Sequence, residues 1–188
     1  DKNQLQNSIC DVLLGDATVA QAILKGLDVG FDLLPSNADL TAAEVELMNS
    51  ANRERRLRDV LEPVKQDYDY VIVDCPPSLN MLTLNALVAA DGVLIPMQCE
   101  YYALEGLGLL TGTLRRVRGA LNPDLEITGL DPDSRKLETA RRHFPGIEFE
   151  QGTLENCDVA GHDAVLLCDV FYLVPFHQQE AWLQSVWQ

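Results

Sequence analysis

The apolar positions of the chain fall into short β-branched runs separated by stretches with helical spacing. Tyr70-Val71-Ile72-Val73 is too short for a helix, and it reads as a strand buried on both faces, as in the middle of a parallel sheet. Val93–Pro96 reads as another buried strand, and Leu125–Leu130, Ile147–Glu150 and Ala164–Cys168 are further candidate strands. Val29–Leu34 is expected to be a further strand, running into the turn Pro35-Ser36-Asn37. Helices are expected over Ile9–Leu14, stopped by Gly15, over Val19–Leu24, and over Leu79–Ala90. Thr41-Ala42-Ala43-Glu44 has the form of a capping box opening a helix with apolar positions Leu40, Val45, Leu47 and Met48. A second apolar set follows at Leu57, Val60, Leu61 and Val64. Ala103–Leu121 is a long helix with Leu104, Leu107, Leu110, Leu114, Val117 and Leu121 on one side, ended by Asn122-Pro123. A last helix carries Trp182 and Trp187, expected to pack their aromatic face on the sheet. This alternation predicts an α/β fold: a mainly parallel, doubly wound sheet with helices on both faces and right-handed crossovers.

Composition narrows the class of protein. In 188 residues the hydrophobic share is 47% and the charged share 23%, ordinary for a globular chain able to bury a core. Apolar runs fall far short of a membrane span, and no signal peptide is visible. The net charge is −15, which argues against broad, non-specific nucleic-acid binding and leaves room for a local basic patch. Cys10, Cys75, Cys99, Cys157 and Cys168 contain no Cys-x-x-Cys pair, so reduced thiols of a cytoplasmic protein are expected. His143, His162 and His177 lack metal-ligand spacing. The arginines at 53, 55, 56 and 58 read as a solvated face.

The candidate chemistry sits at strand ends. Asp74 closes the Tyr70–Val73 run and is followed by Cys75-Pro76-Pro77-Ser78. In open α/β sheets the ligand crevice lies at the carboxyl ends of the strands. An apolar strand ending in Asp is the Walker B arrangement, in which the carboxylate holds nucleotide-bound Mg²⁺. The same pattern also suits an Asp serving as a helix cap or turn residue.

Longer motifs carry a resemblance. Tyr70 to Ser78, then Leu82 to Leu87, Ala90 to Pro96 and Glu100 to Gly106, resemble the ParA/Soj group of deviant-Walker partitioning ATPases over about residues 1–130. The resemblance implies ATP and Mg²⁺ as cofactors, with Asp74 at the metal and the Pro76-Pro77 segment acting as a nucleotide-sensing switch. It implies non-specific DNA and a ParB-like protein as partners. Arg115 matches the position where such proteins carry DNA-binding basic residues at the end of this helix; a merely solvated helix end remains the alternative.

From about Ile127 the pattern changes. Thr128 to Arg142, Gly146 to Gly152 and Asp163 to Leu173 look like the second, third and fourth strands of a class I S-adenosylmethionine-dependent methyltransferase. That resemblance implies S-adenosylmethionine, with Asp131 accepting from its ribose hydroxyls. Thr153 after Gly152 departs from the family, which often has Asp there. The expected organisation is a ParA-like segment over 1–130 and a methyltransferase-like segment over 131–188, sharing one sheet.

Each segment lacks the loop its family depends on. No G-x-x-x-x-G-K-[ST] occurs in the sequence, so no nest of backbone N–H groups and no lysine is supplied for phosphates. The methyltransferase-like segment has no glycine-rich first motif; Gly106-Leu107-Gly108 lies within a helical pattern and follows no strand. The chain on its own is therefore expected to be a monomer without ATP hydrolysis or methyl transfer. Three readings result: a partitioning ATPase segment, a folded chimera without catalysis, and a methyltransferase-like binder of S-adenosylmethionine.

Overall fold

A computed structural model describes residues 6–26, 30–37, 39–75, 80–96, 101–153, 156 and 164–168. Five parallel strands form one sheet in the order β1-β5-β2-β3-β4. They are β1 (Val71–Cys75), β2 (Gly92–Pro96), β3 (Glu126–Asp131), β4 (Glu148–Gln151) and β5 (Ala164–Cys168). Seven α-helices accompany them among the described residues: α1 (Ile9–Leu14), α2 (Val19–Ala22), α3 (Leu40–Leu47), α4 (Arg56–Leu61), α5 (Met81–Ala89), α6 (Tyr101–Ala120) and α7 (Ser134–His143).

Strands β1 and β2 are consecutive in the chain and joined by α5, yet they are not neighbours. β5 lies between them, pairing Val71–Cys75 with Ala164–Cys168 on one side and Gly92–Leu94 with Val165–Leu167 on the other. One strand from the C-terminal part thus closes the sheet of the N-terminal part.

Local chemistry accounts for the helix ends. At α1 the Ser8 hydroxyl accepts from the Cys10 N–H at 3.2 Å, and Asp11 reaches back to the Ser8 N–H at 2.7 Å, a complete capping box. Gly15 ends the helix at φ 93°, a left-handed conformation in which a Cβ would meet the Arg56 guanidinium at 2.8 Å. The expected capping box at Thr41 does not form. Asp39 is the N-cap of α3, which puts Thr41 inside the helix and leaves Glu44 to act elsewhere. On α3, Ala43 and Leu47 are buried, whereas the apolar positions Val45 and, at the C-cap, Met48 are exposed.

The expected strand Val29–Leu34 reduces, among the described residues, to an isolated antiparallel bridge between Leu24 and Leu33. This corner is fixed by side chains instead. The Tyr68 hydroxyl donates to Asp32 at 2.8 Å and the Gly26 N–H donates to the same carboxylate at 3.0 Å. These bonds, Tyr68's first, hold the Asp32 carboxyl below its usual range. Burial, then the bond to Asp32, pushes the Tyr68 hydroxyl up to about 12.

The main core lies between the sheet and α4, α5 and α6, and includes Leu57, Leu87, Val93, Leu114, Val117 and Ile127. Helix α5 is buried nearly all round, so its polar side chains serve its surroundings. Asn85 accepts from the Leu57 N–H at 3.0 Å and donates to the Arg53 carbonyl at 2.6 Å. Asn122, past the end of α6, donates to the carbonyls of Leu87 at 3.0 Å and Ala90 at 2.7 Å. It thereby satisfies acceptors that the last turn of α5 leaves open. The Trp182–Trp187 helix lies outside the described residues.

Candidate nucleotide site at the carboxyl end of the sheet

All five strands point the same way, so the expected site residues at strand ends share one side of the molecule. Asp74 is exposed near the end of β1, in register with Leu167 of β5. Pro76 and Pro77 lie outside the described residues. The chain resumes at Asn80, which caps α5 by accepting from the Thr83 N–H at 2.9 Å. Glu44 of α3 accepts from the Met81 N–H at 2.9 Å and from the Asn80 side chain at 3.4 Å.

The sequence does not mark Glu44 as a site residue. Its spacing from Thr41 pointed to a local cap, and the partner it takes is 37 residues away. It ties α3 to the first turn of α5, directly after the segment that follows Asp74. A carboxylate there is favoured by the helix dipole and removes one orphan N–H. Glu44→Gln is expected to cost about 0.5–1 kcal/mol, with faster hydrogen exchange at the Met81 amide. Unchanged Met81 exchange would remove Glu44 from this role.

Asp131 ends β3 and is 2% exposed. One carboxylate oxygen accepts from the Asp133 N–H at 2.7 Å, which turns the chain into α7. The other oxygen, Oδ2, has no hydrogen-bond partner among the described residues. The Lys136 ammonium stands 4.0 Å from it, a Coulombic neighbour beyond hydrogen-bond reach. Beside it, the Thr153 N–H is taken by Asn156 at 2.7 Å. A Cβ at Gly152 would meet that same Asn156 oxygen at 2.6 Å, so this turn has no room for a side chain at 152.

The fold does not bring Asp74 and Asp131 together. With β5 and β2 between them, three strand spacings separate their strands, roughly 14 Å. Among the described residues no group of three or more His, Cys, Asp or Glu could hold a metal. Arg115 lies elsewhere. Its guanidinium donates to the Pro145 carbonyl at 3.0 Å, near the C-terminal end of α6 and hence toward the amino ends of the strands.

An open parallel sheet flanked by helices, with a carboxylate near the carboxyl end of one strand, is an α/β fold of the P-loop NTPase-like kind. The AAA domain family model matches residues 1–127, and the chain belongs to that family. Its N-terminal part is a ParA/Soj-like member. The chromosome partitioning protein ParA of Caulobacter vibrioides is 50% identical over 131 residues, 69% of this chain and 49% of that protein. Soj, the sporulation initiation inhibitor protein of Bacillus subtilis, is 48% identical over 130 residues, 69% of this chain and 51% of its own length. An uncharacterized protein of Pseudomonas putida reaches 56% over 130 residues, 69% of this chain and 49% of its own. The chain spans about half the length of these curated relatives.

Among solved structures, cobyrinic acid a,c-diamide synthase from Mycobacterium smegmatis with bound ADP and magnesium superimposes with a TM-score of 0.69. It is 39% identical, covering 77% of this chain and 62% of that one. A plasmid partition protein from Borrelia burgdorferi covers 100% of this chain and 73% of its own at a TM-score of 0.58 and 20% identity, a likeness of fold alone. No helix among the described residues is long and apolar enough to cross a membrane.

Proposed function

We propose that the chain is the carboxylate-bearing part of a cytoplasmic ParA-type partitioning ATPase, acting on DNA together with a ParB-like partner. The observation that carries this reading is Asp74, exposed at the end of a strand of the sheet, within the segment that matches the AAA family. Asp74 would be the residue that holds Mg²⁺, which when bound would supply positive charge to offset that of the ATP phosphates. Pro76 and Pro77 would carry the nucleotide-dependent change to α5, whose first turn Glu44 and Asn80 hold. Phosphoryl transfer is mostly positioning and charge stabilisation. With no P-loop in its sequence, the chain alone does not turn ATP over.

The test is a fusion in which the part of Caulobacter vibrioides ParA that precedes the matched residues is joined to Asp1. Mg²⁺-dependent ATP turnover that Asp74→Asn lowers by at least about a hundredfold, the scale of removing one charge-stabilising group, supports the reading. A folded fusion whose turnover ignores Asp74→Asn overturns it.

One observation favours a second reading for residues 131–188, as a methyltransferase-like segment. The buried Oδ2 of Asp131 lacks a hydrogen-bond donor among the described residues, and burying such an oxygen unpaired is costly. A ribose hydroxyl, as in S-adenosylmethionine, is a donor of the right kind. Calorimetric titration with S-adenosylmethionine would then give heat that disappears in Asp131→Asn; no heat from the folded wild type overturns this reading.

A further inference from the structure

The chain is strongly acidic overall, yet two arginine clusters well apart in sequence meet in the fold. Arg115, Arg116 and Arg118 occupy the last turns of α6, and Arg141, Arg142 and His143 form the last turn of α7. The Arg115 guanidinium donates to the Pro145 carbonyl at 3.0 Å. The Arg118 guanidinium lies 3.9 Å from the Cβ position of Gly146. Pro145 and Gly146 closely follow the α7 cluster, so the two helix ends abut.

We propose that these ends form one composite surface for the phosphate backbone of duplex DNA, to which α7, outside the AAA match, contributes Arg141 and Arg142. This deepens the DNA arm of the function proposed above and rests on that reading. Arg115, Arg116, Arg141 and Arg142 are exposed. Among the described residues none of Arg115, Arg116, Arg118 and Arg141 forms an ion pair. Arg142 pairs with Glu138 at 2.7 Å, both side chains largely exposed, and such a surface pair is weak enough to yield to a phosphate. All five cations are arginines, whose planar forks match phosphate oxygens.

Helix dipoles alone would favour cations in a last turn. They do not account for Arg115, which sits more than a turn inside α6 and reaches across to the α7 loop. The surface is also well separated from the carboxylates. Crossover helices run antiparallel to the strands they join, so the ends of α6 and α7 lie at the amino ends of the strands, opposite Asp74 and Asp131. Among the described residues the large exposed hydrophobics are Leu24, Leu33, Val45 and Met48, all on the N-terminal elements. None of them accompanies the arginines as an apolar wedge, which favours a polyanion over a lipid surface.

The test measures binding of a labelled 20-base-pair duplex to the full chain between about 50 and 200 mM salt, with anionic vesicles as a parallel probe. Removing one arginine–phosphate pairing lowers the slope of log K against log salt by about 1. Arg115→Gln/Arg118→Gln and Arg141→Gln/Arg142→Gln should each flatten it by about 2. The fall in affinity across that salt range then shrinks about tenfold. Arg141 also donates to the Phe149 carbonyl, so Arg142→Gln alone, with an expected change of about 1, guards against a folding effect. Arg55→Gln should change nothing. A slope that falls for the α6 pair but not for either α7 variant overturns the composite surface and leaves DNA binding by this domain intact. Absence of duplex binding by the folded wild type, or binding to vesicles alone, overturns both.

Discussion

Leu166→Pro is expected to abolish the cooperative thermal transition of the whole chain. Leu166 is the middle residue of β5 and stands in register with Val73 of β1 and Val93 of β2. Proline there removes a backbone donor from a strand paired on both sides and clashes with its neighbours. Because β5 is the link between β1 and the β2-β3-β4 set, its loss divides the sheet rather than trimming an edge. Glu148→Pro, at the first residue of the edge strand β4, should be far milder. A Leu166→Pro protein that still melts cooperatively would mean that β5 is not integral to the sheet.

Leu114→Ala should destabilise the chain by about 2–5 kcal/mol, a large share of the roughly 5–15 kcal/mol that holds a typical domain together. Leu114 is fully buried on α6, in the cluster that also holds Leu87, Val93, Val117 and Ile127. Truncation would leave a cavity between α6 and the sheet that backbone elements on both sides are too constrained to close. Urea unfolding reads the effect directly: the midpoint should fall with an unchanged slope. A loss under about 1 kcal/mol, less than the cost expected of a buried leucine, would show that this helix packs loosely.

Most of this architecture was legible in the chain. The apolar runs marked β1, β2, β3 and β5 within a residue or two of their bounds, because buried strands leave a short run of hydrophobic residues, and β4 was marked by Ile147 and Phe149, of which Phe149 is buried. The α6 stripe was equally plain: Leu110, Leu114 and Val117 are all buried. Strand order was not legible. Nothing local to Ala164–Cys168 says that it inserts between β1 and β2, since that is decided by which ladder is left open. The described part of Val29–Leu34 misled because apolar residues such as Phe31, Leu33 and Leu34 resemble a strand; Leu33 there makes only a single bridge.

The site was legible in part, and for the same reason. Asp74 and Asp131 stand out in the sequence as acidic residues ending apolar runs, and both lie at the carboxyl end of the sheet. Their separation follows from the strand order and was hidden with it. Glu44 looked like half of a local cap because a sequence shows near neighbours only. Its true partners, Met81 and Asn80, arrive through tertiary packing. Arg115 is recognisable from sequence as a helix-end cation, but its reach to Pro145 again depends on how α6 and α7 meet.

We propose that Asp74 is the metal-directed carboxylate of a ParA-type nucleotide site, in a chain whose sequence holds no P-loop to cradle the phosphates. Calorimetric titration of the purified chain with ATP and Mg²⁺ tests it most directly. The account predicts no binding heat from a protein that melts cooperatively. Micromolar binding abolished by Asp74→Ala would contradict it, by showing that another segment of this same chain already cradles the phosphates.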